Sequence, residues 1–151
     1  MDEERRFAEE VGVVLSGIGL PAAFGKLMGR LLICDPPQQS SAQLARSLGL
    51  SKGSVSTGMR ALEQVGMVRR VPGAGRGHVY EMLPDALVRT VDARRVYLAI
   101  HALMQNGIDL LGGDESLPRA QRLRVSRDFY AFMAERIPQL IDEFARREGL
   151  T

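Results

Sequence analysis

Only one cysteine, Cys34, occurs among the 151 residues, so no internal disulfide can form. Such thin thiol usage suits a reducing compartment, and the cytoplasm is the expected location. With two histidines and that one thiol the chain lacks the usual ligands of a transition-metal site, and no metal is expected. Tryptophan is absent. No apolar run approaches the roughly 20 residues of a membrane helix, so no membrane partner is expected. The opening MDEERRFAEE is acidic and charged, unlike a secretory signal. Nucleophile–base pairs, paired carboxylates at catalytic spacing and cofactor fingerprints are missing too, so neither an enzyme nor a cofactor is expected.

What is present describes an ordinary globular chain. Hydrophobic residues make up 45% and charged residues 25%, which argues against disorder. The length fits one domain with extensions. Net charge is only +2, but it is unevenly placed. Residues 38–82 carry Arg46, Lys52, Arg60, Arg69, Arg70 and Arg76 against Glu63 and Glu81, a local excess of +4. Residues 1–37 sum to −2, and residues 84–151 balance. A basic centre between neutral or acidic flanks is the footprint of a small nucleic-acid-binding module.

Periodicity gives the order of elements. Phe7, Val11, Val14, Leu15 and Ile18 fall at helical spacing, and Gly17, Gly19 and Pro21 interrupt that helix. A second helix, from about Pro21 to Cys34, is apolar on a broad side and stops at Asp35-Pro36-Pro37. Gly25 and Gly29 lie one turn apart on it and predict close approach of another helix. Ser40 or Ser41 can cap a short helix over 42–48, and Gly49 supplies its left-handed stop. Ser51 caps the next, from Lys52 to about Val65, and Gly66 ends it. MVRRV and HVYEM then read as two strands around PGAGRG. Beyond Pro84 a helix of about 20 residues should run to Gly107. A last one, over 119–147, should be bent or broken by Pro138.

The stretch LARSLGLSKGSV has the spacing of two helices crossing through a tight turn. Small Ala45 admits the second helix, Gly49 takes the turn, and branched Val55 fills the contact. A hairpin directly after the second helix turns this into a winged helix-turn-helix. The helix SKGSVSTGMRALEQVG then makes sense: Val55, Met59 and Leu62 face inward, while Ser56, Thr57, Arg60 and Gln64 face outward. A solvated surface helix would more commonly carry glutamate and lysine there. A helix entering the major groove, about 12 Å wide, needs donors and no bulky acid. Arg60 is the best bidentate partner for guanine, and Ser54, Ser56 and Thr57 can reach bases or phosphate. Ser51, Lys52 and Gly53 open the helix, where free backbone N–H groups favour phosphate. In the loop, Arg76 can enter the negative potential of a narrow minor groove. As a nucleotide-binding loop PGAGRG fails, because it joins two strands and no Gly-Lys-Ser/Thr follows.

GLPAAFGKLMGRLLICDPP, then LARSLGLSKGSVSTGMRALEQVGMVRRV, then a glycine–arginine wing ending in VYE resembles the multiple-antibiotic-resistance regulator (MarR) family, within it the GbsR-like branch. The resemblance covers residues 19–82, and the flanking helices agree in kind. It implies a homodimeric transcription factor, usually a repressor that an effector releases. Its terminal helices would pair across a two-fold axis. By position, Lys52, Ser54, Ser56, Thr57 and Arg60 match the family's recognition-helix contacts, and Arg76 its wing arginine. The sequence departs at Gly77, where the branch often has a second basic residue.

The expected fold class is therefore mainly α with a small β-hairpin, a winged helix-turn-helix flanked by dimerisation helices. Residues 1–19 form the N-terminal dimerisation helix, 20–83 the DNA-binding domain and 84–151 the C-terminal dimerisation region. The outer helices are too apolar to be buried on so small a domain, which predicts an isologous homodimer. Two recognition helices, residues 52–65, would read half-sites about 34 Å apart in double-stranded DNA, with the wing, residues 72–78, in the minor groove. The alternative is a winged helix used as a protein-interaction module without DNA binding. Cys34 reads as a buried structural thiol rather than an oxidant sensor, with Asp35 raising its pKa. His101 reads as an interior or interface histidine. Tyr97, Phe129, Tyr130 and Phe132 are the candidates for an aromatic effector pocket, for which a quaternary ammonium is one conceivable ligand.

Overall fold

The computed structural model describes residues 2–73, 75 and 77–150. They form two compact units, Met1–Arg89 and Thr90–Thr151. The first contains helices α1 (Glu3–Ser16), α2 (Ala22–Ile33), α3 (Ser41–Leu48), α4 (Lys52–Gln64) and α5 (Ala86–Arg89), with strands β1 (Gln38–Ser40), β2 (Val68–Pro72) and β3 (His78–Met82). The second holds α6 (Arg94–Leu110), a 3-10 turn at Pro118–Ala120 and α7 (Gln121–Glu148). This is the mainly helical winged-helix class expected from the sequence.

Helix boundaries in the first unit follow local chemistry. Asp2 caps α1 by accepting from the Arg5 N–H at 2.6 Å, and Glu3 and Glu4 suit the positive end of the helix dipole. Ser40 and Gln43 form a reciprocal capping box at α3. Gly49 closes α3 at φ +64°, a left-handed conformation that glycine adopts without Cβ strain. Ser51 caps α4 by accepting from the Ser54 N–H at 3.1 Å.

Leu27, Leu44, Val55, Met59 and Leu62 are wholly buried at the centre of this unit, each side chain worth about 1.5–3 kcal/mol of burial. Gly25 and Gly29 do mark a close approach, and α1 is the partner. A Cβ on Gly25 would stand 2.7 Å from the Gly12 Cα, and one on Gly29 2.7 Å from the Ala8 Cα. The inner side of α1 is therefore Ala8 and Gly12, with Val11 and Leu15 partly covered. Val14 and Ile18, expected in its apolar stripe, are 71% and 75% exposed. The small residues let the backbones meet, and that contact rotates the larger ones outward.

A third strand, β1, was not anticipated. Its three residues, Gln-Gln-Ser, carry no apolar alternation, and the strand exists because the edge of β3 is open to it. The sheet runs β1-β3-β2, all antiparallel, with Gln39 and Arg70 opposite Tyr80 on either side. Cys34 follows α2, only 8% exposed, as expected for a structural thiol. Burial raises its pKa most, Arg30 opposes that, and Asp35 contributes the least.

In the second unit α6 and α7 pack along each other. Gly107 does not end α6; a Cβ there would press 3.1 Å from Leu123, so this glycine admits α7. The stop comes later, at Gly112 and Gly113, both at positive φ. The single helix expected after Pro84 is divided into α5 and α6. Thr90, Val91 and Asp92, all poor helix formers, occupy the break. Tyr97 holds the Val91 carbonyl there at 3.2 Å. Pro138 does not break α7, which runs as α-helix from Gln121 to Glu148. Arg127 ties the hairpin together, donating to Gln105 at 2.9 Å and pairing with Glu115 and Asp128.

Candidate nucleic-acid interface

Helix α4 sorts its residues cleanly. Val55, Gly58, Met59 and Leu62 are buried, while Ser51, Lys52, Gly53, Ser56, Thr57, Arg60 and Gln64 are exposed and Ser54 is half-buried. The inward face fixes the helix against α2, where Leu27 lies so close to Gly58 that a Cβ would overlap its Cδ1. The outward face is left with hydroxyls, an amide, one ammonium and one guanidinium. Ser51 Oγ and Ser54 Oγ are 3.0 Å apart, so these two hydroxyls also serve the cap. Gly53 has nothing nearer to its missing Cβ than Ser51 Oγ at 3.9 Å, leaving the helix opening bare.

Beside this face runs a groove of about 370 Å³, walled by Pro21 just before α2, by Phe24 of α2 and by Ser54, Thr57 and Ala61 of α4. Gly58 forms its floor. This residue was missed in the sequence, although a glycine on the buried stripe of an otherwise regular helix signals a close neighbour.

The basic residues of the segment are not equally available. Arg69 pairs with Glu81 across the hairpin at 2.7 Å, and Arg70 with Glu63 of α4 at 3.1 Å. The hydrogen bond that Arg70 donates to Glu63 is the main reason the Arg70 pKa is raised, with the Glu63 charge second. Arg46, Lys52 and Arg60 have no ion pair among the described residues. The charge excess counted from sequence thus narrows to these three in the described part. Arg76 lies outside the described residues. Its neighbour Gly77 stands at φ +101°, a conformation that a residue with a side chain would adopt only with strain.

Three of the four candidate effector aromatics contact one another, and Phe132 meets an arginine instead. Tyr97 and Tyr130 have ring centroids 6.0 Å apart, Phe129 meets Tyr130 edge-on at 5.3 Å, and Arg136 lies 5.8 Å over Phe132. Phe129 and Phe132 remain about half exposed. Among the described residues no group of three or more metal-ligating side chains occurs. No described helix is long and apolar enough to cross a membrane.

Comparison with known proteins places this geometry. The family model described as MmpR5-like MarR family transcriptional regulator matches residues 85–147, the helical part outside the winged helix. The HTH-type transcriptional regulator MmpR5 of Mycobacterium tuberculosis is 34% identical over 145 residues, covering 95% of this chain and 87% of that protein. A crystal structure described as that of a transcriptional regulator superposes with a TM-score of 0.82 at 31% identity, over 96% of this chain and 99% of the other. Reader helix, wing and helical hairpin together carry one conclusion: the chain belongs to the MmpR5-like MarR family and is a transcriptional regulator.

Proposed function

We propose that the chain binds a pseudo-palindromic duplex as a homodimer and represses the gene it occupies. Helix α4 enters the major groove and residues 72–78 enter the minor groove. One observation carries this reading: Ser56, Thr57, Arg60 and Gln64 are all exposed on a helix whose opposite side is wholly buried, and the fully exposed part holds no acid. Arg60 reads guanine; Ser56 and Thr57 reach base edges or phosphate; Ser51, Lys52, Gly53 and Ser54 hold phosphate at the helix opening. Arg76 supplies the wing contact. The GbsR-like pattern of residues 19–82 agrees with this assignment.

Dimerisation is supported by the apolar surface outside the reader. Val13, Val14 and Ile18 of the N-terminal region, residues 1–19, are exposed, and so are Leu98, Leu103, Leu110, Phe129 and Phe132 of residues 84–151. A two-helix unit with only Ile108, Ala120 and Ala134 buried among the described residues has too small a core to stand without a partner. A second copy offers the same surface, as an isologous interface requires. Release by a small-molecule effector, and action in the cytoplasm, belong to the same proposal.

The test is binding to a duplex that the protein enriches from a random-sequence pool. Arg60→Ala should weaken that complex by about 1–3 kcal/mol, about fivefold to 150-fold, and relax the preference at one base pair. Affinity should also fall steeply with salt. Equal binding to every duplex, indifferent to Arg60→Ala, would instead favour a protein-interaction module.

A further inference from the structure

We propose that Arg70 is a positioning residue that keeps Glu63 away from Arg60, so that the reading arginine reaches DNA unpaired. The inference rests on the reading of Arg60 given above. Glu63 is the one acid in α4, and it stands three residues after Arg60. On an α-helix, residues three apart are surface neighbours, and an arginine and a glutamate so placed are within reach of each other. Here they do not. The Glu63 carboxylate accepts from Arg70 of β2 at 3.1 Å, and Arg60 has no hydrogen bond or ion pair among the described residues.

The geometry explains why Arg70 wins. Arg70 lies in a strand pinned opposite Tyr80, in the middle of the β2–β3 pairing, so its backbone position is fixed. Its guanidinium is half exposed, whereas the Glu63 side chain is 26% exposed, on the side of α4 nearer the hairpin. The strand therefore presents a cation where the carboxylate already points. Arg60 would have to fold along its own helix, giving up the outward extension that major-groove contact needs. The pair does two things at once. It withdraws a competitor from Arg60, and it neutralises a carboxylate that would otherwise face the phosphates.

Arg70 thus differs from the phosphate-contacting role that its place in a basic segment suggests. The two roles separate in a double substitution. Arg70→Ala alone should weaken binding to the selected duplex about threefold to tenfold, the combined effect of a restored helix pair and one uncompensated charge near phosphate. Glu63→Gln alone should leave affinity at or above wild type, since a neutral amide neither pairs with Arg60 nor repels DNA and leaves the Arg70 charge uncompensated. In Arg70→Ala/Glu63→Gln, which has the net charge of the wild-type pair and no competitor for Arg60, the affinity should return to within about twofold of wild type. A conserved unfolding midpoint in Arg70→Ala is expected, because the pair is exposed, and shows that the loss is not misfolding.

If the double variant stays as weak as Arg70→Ala, and the slope of log affinity against log salt falls by about one in both, Arg70 holds a phosphate and the inference is wrong. If Arg60→Ala proves indifferent, the reading of Arg60 fails and this inference with it. If Arg60→Ala weakens binding but Arg70→Ala does not, only the inference fails. Rescue, with Arg60→Ala damaging, supports both.

Discussion

Replacing Gly25 with alanine should destabilise the first unit, although alanine is the better helix former. In a helix interior that exchange by itself gains about 1 kcal/mol. At Gly25, however, the new Cβ would lie 2.7 Å from the Gly12 Cα and 3.2 Å from its nitrogen. Both are backbone atoms of α1, so no rotamer change relieves the contact, and α1 must move off α2. Overpacking of this kind typically costs about 1–3 kcal/mol. Lifting α1 also uncovers Ala8, which is fully buried, and parts of Val11 and Leu15. We expect a net loss of about 1–2 kcal/mol, a fall of roughly 2–8 °C in thermal midpoint for a chain this size. Gly29→Ala, facing the Ala8 Cα at 2.7 Å, should act in the same direction. Gly53→Ala is the internal control: it is exposed, its nearest neighbour is Ser51 Oγ at 3.9 Å, and it should raise the midpoint. Circular dichroism melts of the three variants decide the matter. A Gly25→Ala midpoint at or above wild type, moving with that of Gly53→Ala, would refute the tight α1–α2 crossing.

Two other outcomes follow from the same structure. The Cys34 thiol, held above its usual range mainly by burial, should react with a disulfide reagent at pH 7–8 at least about tenfold slower folded than unfolded. Because the folded state holds this proton more tightly, its contribution to stability is complete below the unfolded thiol pKa, about 8.5. It is lost as pH rises through the higher folded value. Cys34→Ala should therefore flatten the alkaline fall in urea midpoint between pH 8 and pH 10.5, and an unchanged profile would contradict that origin. In light scattering the wild type should run at about twice its 16.6 kDa chain mass, and Leu103→Glu, on an exposed apolar face, should shift it toward one chain. A single-chain mass for the wild type would remove the basis of the dimer.

Helix α4 was legible in sequence because its signals are local. Ser51, Gly49 and Gly66 act on their own backbones, and the spacing of Val55, Met59 and Leu62 marks the buried side of a helix whatever surrounds it. The exposure of Thr57, Arg60 and Gln64 follows from that spacing alone. The same locality gave the hairpin and the stop at Gly49. It also gave the close approach at Gly25 and Gly29, though not the partner.

Tertiary structure decided whatever depends on residues distant in sequence. Which side of α1 faces inward was set by Gly25 and Gly29 accepting Ala8 and Gly12, which keeps Val11 and Leu15 of the apolar stripe partly covered and leaves Val14 and Ile18 outside. The strand β1 exists only through its pairing with β3, some 40 residues away in register. In sequence Arg70 was one of six cations in a charge count, with no role of its own, and only the approach of β2 to α4 gave it Glu63 as a partner. Periodicity and capping are properties of one segment and can be read from it. Close packing and ion-pair choice are competitions between segments, decided when the chain brings them within a few ångströms of each other.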